Sequence, residues 1–157
     1  MTFNRHNSKL MPSEVAETMG SLRTAFAHMR EGVATHNEYA ALHTSMLIAQ
    51  EIEQMGVVRG LQEHITAALQ ACASYEERSG YAESWRPSDI HFHELDALGS
   101  MLDLHEFQLQ QLTAREVHLA TQRLVARTKS AGGEVYQADN SMATLTTYKP
   151  QKQGAPA

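Results

Sequence analysis

Residues 91–112 read HFHELDALGSMLDLHEFQLQQL, and the fold turns on whether the histidines here are metal ligands or positions on a helix. The run carries three histidines and four carboxylates. In a regular helix, residues two apart point about 200° away from each other. His91 and His93 therefore cannot share one ion there, and neither can Asp103 and His105. Helical metal sites use histidines four apart, or a glutamate followed three residues later by a histidine. Neither spacing occurs anywhere in the chain. A different register is informative. His91, Leu95, Leu98, Leu102, His105, Leu109 and Leu112 recur at alternating steps of four and three, which is one apolar seam of an amphipathic helix. The spacing predicts a helix over roughly 89–111, with Gly99-Ser100 as the place for a bend.

In that register His105 lies between Leu102 and Leu109 and reads as a neutral core or interface histidine, bonded across the seam to another helix. A polar group in a seam sets register or oligomer state at some cost in stability. Glu94, Asp96, Asp103 and Glu106 edge the seam with negative charge, and Phe92, Met101 and Leu104 suggest a second apolar edge suited to self-association. The competing reading is a metal site in which His43, His64 and His105 converge from different helices.

The flanking sequence extends the helical pattern. Pro12-Ser13-Glu14 opens a helix whose stripe is Val15, Met19, Leu22, Phe26 and Met29, with Gly32 as its stop. Thr35 and Glu38 form a capping box. The helix after it, to Met55, has two apolar stripes, which place it centrally in a bundle or at a subunit interface. Val58, Leu61, Ile65, Ala68, Cys72 and Tyr75 form a third seam. Cys72 falls within it and reads as a small buried hydrophobe. The internal loop 79–88, SGYAESWRPS, holds the only tryptophan, Trp85, as a cap over the core or as an anchor for a partner. Thr113 and Glu116 form a second capping box, with Leu112 and Val117 placed as a hydrophobic staple. The last helix stops before Gly132-Gly133, and the pattern is lost from Glu134 onward.

Composition bounds the function. The chain has 157 residues, 42% hydrophobic and 20% charged, enough for a single domain with a substantial core. No apolar run approaches the roughly 20 residues that span a bilayer, and the first residues lack the apolar core of a secretory signal. A cytoplasmic protein is expected. Net charge is -5; residues 1–113 hold 7 basic against 15 acidic side chains, whereas 114–157 hold 6 against 3. An acidic body disfavours a protein whose task is gripping phosphates and suits a partner with a basic surface. Phosphate loops, nucleophile elbows, H-E-x-x-H and cysteine zinc spacings are absent from the sequence.

Two segments, MPSEVAETMGSLRTAFAHMREGVATHNEYAALHTSMLIAQEIE and LHEFQLQQLTAREVHLAT, resemble small helical accessory proteins carried by phages and plasmids of proteobacteria. The resemblance spans roughly residues 11–130 and brings no catalytic residues with it. It implies an accessory protein of a mobile element, a class whose members, anti-CRISPR proteins among them, often act by binding a host complex.

The expectation is an all-α, single-domain bundle of about five helices over 1–133 with an extended arm over 134–157. The expected function is non-enzymatic: binding, and inhibiting, a host defence complex through an acidic surface, with no cofactor. Asp96, Asp103, Glu94, Glu106 and Trp85 are the expected partner-binding residues. His91, Leu98, Leu102, His105 and Leu109 form the packing or self-association seam of a homodimer. No membrane is involved and nucleic acid is disfavoured. The alternatives are a metal-dependent helical enzyme, or a DNA-associated regulator that uses the basic last helix.

Overall fold

The computed structural model describes residues 7–133. Five helices account for most of them: α1 (Pro12–Glu31), α2 (His36–Met55), α3 (Gln62–Ser79), α4 (Phe92–Gln111) and α5 (Ala114–Ser130). The domain is all-α, as the seams require. The arm expected over 134–157 lies outside the described residues. No helix among the described residues is long and apolar enough to cross a membrane.

The helix boundaries follow local chemistry. Proline occupies the first turn of α1, where its missing N–H costs nothing, and Gly32 closes the helix at φ 75°. Both threonine capping boxes form: the hydroxyls of Thr35 and Thr113 accept from the amides of Glu38 and Glu116, and those carboxylates accept in return from the threonine amides. The start of α3 is held differently. Glu53, from the end of α2, accepts from the amides of Gly60 and Leu61. Val58 and Leu61 therefore precede the helix instead of beginning its seam. Val58 packs with Ile52, Leu112 and Ala120 in a small second core.

α2 is the hub, packed against the other four helices. Its two apolar stripes serve two sides of one molecule, so the central-helix reading is the correct one. Leu42, Met46 and Ala49 enter the main core with α1, α3 and α4, while Ile52 joins the second core beneath the α4–α5 turn. α4 runs unbroken through Gly99-Ser100. An added Cβ at Gly99 would lie 3.5 Å from the ring of Phe26, an ordinary van der Waals contact, and no bend is formed there.

At one end of the bundle the segment before α1 pairs with the α4–α5 turn. The amide of Leu10 donates to the Leu112 carbonyl, and that of Ala114 donates to the Ser8 carbonyl.

Candidate functional site

The seam of α4 is real, with one correction at its start. Leu98, Leu102, His105 and Leu109 are buried. His91 is not in the seam: it is the N-cap of α4, in extended conformation and exposed. The second apolar edge also fails, because Met101 is wholly buried while Phe92 is 85% exposed.

Moving His91 off the helix changes the metal question. Its ring lies 5.7 Å from that of His93, and ligand atoms of His91, His93 and Glu94 all fall within 4.8 Å of one another. The 200° argument does not apply to an N-cap. Glu94 is nevertheless committed elsewhere. It is fully buried, it takes two hydrogen bonds from Arg78 at 2.9 and 2.5 Å, and it accepts the His91 amide at 2.8 Å. Burial acts to raise its carboxyl, but those bonds outweigh burial and hold it below the usual carboxylate range. An ion at His91 and His93 would have to compete with a guanidinium for its third ligand. Glu94 is accordingly corrected from a partner-facing acid to a buried structural one.

The other expected partner residues divide by environment. Asp96 and Asp103 are exposed. Asp103 and Glu106 together bind Arg23 of α1, at 3.0 and 2.8 Å, so they tie α1 to α4. Trp85 is half-buried; its indole donates to the Ala34 carbonyl at 2.9 Å and stacks on Tyr39 with ring centres 5.3 Å apart. It caps the core, the first of the two readings given for this loop.

The three histidines considered as a converging set do not meet. His43 stacks on Tyr39. His64 is exposed and borders a groove of about 540 Å³ between α3 and α4, shared with His93 and Asp96. His105 belongs to a different cleft. Of the basic side chains of α5 on which a DNA reading would draw, Arg115, Arg123, Arg127 and Lys129, two, Arg123 and Arg127, bind the buried carboxylate of Glu51 on α2.

The feature that sequence reasoning missed is the cleft at His105. It is a groove of about 270 Å³ over α2, between α1 and α5, with a mostly apolar lining. Leu22 of α1, Ala41 and Ile48 of α2, Leu109 of α4 and Val117 of α5 form its apolar walls; Glu14, Glu38 and His105 are among the polar side chains of its lining, with several serine, threonine and asparagine side chains beside them. His105 is only 2% exposed. Its Nδ1 lies 2.9 Å from Oε1 of Gln108, and the Gln108 amide donates to the Ala49 carbonyl of α2. That second bond fixes which end of the glutamine is the acceptor, so Nδ1 of His105 carries the proton. Burial pushes the imidazole below its ordinary pKa, opposed by the Gln108 bond, and keeps it neutral at pH 7. The cross-seam contact expected of His105 is thus made through Gln108. No periodicity in one helix signals such a groove, because its lining is drawn from four helices.

Scans of this chain against protein-family models, curated proteins and solved structures found no match.

Proposed function

We propose that this chain is a non-enzymatic interaction protein that receives an apolar segment of a protein partner in the groove between α1 and α5. The observation that carries this reading is the groove itself: mostly apolar, walled by helices and floored by α2, the shape that accepts an amphipathic segment. The net charge of -5 favours a partner with a basic surface, through encounter rate and orientation. The resemblance to accessory proteins of phages and plasmids supplies the setting, a cytoplasmic host complex of the defence type that such proteins bind and inhibit. Self-association as a homodimer belongs to the same reading, with exposed Phe92, Phe107 and Leu119 as apolar surface for it.

The test is affinity capture from a proteobacterial lysate with the wild-type chain and with Thr121→Trp, which fills the groove from a half-buried position. A partner captured by wild type and lost with the variant, at unchanged thermal stability, supports the reading. Equal capture by both sinks it. The role of surface charge is tested at Asp96, since reversal at Asp103 or Glu106 would also break the tie to Arg23. Asp96→Lys is expected to slow association without unfolding the protein, and the loss should shrink at high salt.

A further inference from the structure

A cluster at the start of α4 stands apart from the groove. His91 is the N-cap of α4 and His93 lies in its first turn; both are exposed. Because the backbone at His91 is extended, with φ -79° and ψ 152°, the two imidazoles are not turned to opposite sides of a helix, and their centres stand 5.7 Å apart. One ligand atom from each ring and one from the Glu94 carboxylate lie within 4.8 Å of one another. Donors bonded at about 2.0–2.2 Å to one tetrahedral ion sit roughly 3.4 Å apart, so a small rotation of two exposed rings closes the set. Glu94 is its fixed point, wholly buried and ionised. Arg78 competes for that carboxylate, yet Glu94 accepts three hydrogen bonds, two from Arg78 and one from the His91 amide. A carboxylate offers about four lone-pair positions, which leaves one for an ion.

We propose that His91, His93 and Glu94 bind one divalent transition-metal ion of the zinc, copper or nickel class. Two imidazoles and a carboxylate are a donor set that such ions accept, whereas magnesium and calcium take mostly oxygen. Electrostatics selects in the same direction. The guanidinium of Arg78 and the positive end of the α4 dipole both oppose a dication, so an ion held mainly by its charge is repelled. An ion held by strong bonds to nitrogen withstands that field. Arg78 then serves as the hydrogen-bonded support that orients a ligating carboxylate. Three protein ligands leave a coordination position open, and it faces solvent because both histidines are exposed.

The experiment titrates zinc chloride into the full chain, with magnesium chloride as the control, and follows heat by calorimetry and ring and amide shifts by NMR. The expected result is saturation at one zinc per chain with shifts at His91, His93 and Glu94, and no such shifts with magnesium. His91→Ala and His93→Ala alter exposed side chains and should fold; each should weaken zinc binding at least tenfold. Zinc affinity unchanged in either variant overturns the site and marks an adventitious ion only. An equal response to magnesium overturns the class of ion. A loss in His64→Ala as large as that in His93→Ala would move the ion into the groove between α3 and α4 and overturn Glu94 as a ligand. Because an ion that binds the folded site stabilises it, zinc should raise the melting temperature of the wild type. A fall would show the ion pulling the carboxylate away from Arg78 and would overturn the shared arrangement, a reading that stands even if Glu94→Gln fails to fold.

Discussion

Nε of Arg127 on the last helix lies 2.7 Å from Oε1 of Glu51 on the central helix, and Nε of Arg123 lies 3.2 Å from the other oxygen of the same carboxylate. The Glu51 side chain is 3% exposed whereas both arginines are largely exposed. A buried carboxylate is costly without a cation, so these arginines act as alternates. Removing either alone, as Arg123→Ala or Arg127→Ala, should cost at most about 1 kcal/mol, because the other stays and both are screened by solvent. Removing both strands the charge and should cost about 3 kcal/mol. Urea denaturation of the two single variants and the double variant measures this, and strictly additive losses would refute it.

Arg78 and Glu94 join α3 to the start of α4, and the other base near that carboxylate is not a second arginine but the His91 ring, whose Nδ1 lies 3.9 Å from Oε1. Arg78→Ala should therefore cost more than either α5 single variant, about 3 kcal/mol. Because the folded Glu94 carboxyl lies below its ordinary value, its contribution is present above the unfolded carboxylate range near pH 4.5. It is lost as pH falls through the folded value. Acid unfolding of Glu94→Gln should begin from a lower plateau and show a flatter dependence below pH 5. An unchanged acid limb would count against the buried pair.

His105 and His43 set a second pH dependence, at milder acidity. Burial depresses both, so the unfolded chain takes up protons near pH 6.5 that the folded chain resists. Stability is then complete above that pH and falls as pH drops toward the depressed folded values. The urea midpoint should decline between pH 7 and pH 5.5, and the decline should be smaller in His105→Leu. A midpoint flat across that window in the wild type would contradict the burial of both rings.

Cys72 sits in the α3 seam, fully buried, and burial pushes its thiol up to about 12. Reaction with a thiol reagent at pH 8 should therefore track global unfolding and become complete only in denaturant. Fast labelling of the folded protein would show that α3 opens locally.

The fold was legible to the extent that it is written in local patterns. The Thr35 and Thr113 boxes and the stop at Gly32 are chemical punctuation within four residues, and they placed α1, α2 and α5 closely. Position 91 was misread because periodicity extends smoothly through an N-cap: His91 stands at the correct spacing from Leu95, yet its backbone has already left the helix. Glu94 was misread because an acid on an amphipathic helix looks solvated until the arginine that buries it, sixteen residues earlier, is known. The groove was illegible for the same reason. Its walls come from four helices, and one chain read in order carries no record of which faces meet.

The pairing of Ser8–Leu10 with Leu112–Ala114 carries a consequence for how the molecule is made. The amide of Leu10 has its partner a hundred and two residues downstream, so during synthesis the segment before α1 cannot be seated until the first four helices have been made. Residues made before α1 are then among the last of the bundle to be fastened. Until that moment the entry to α1 is a loose end, and the bundle is a sequence of helices still waiting for its clasp.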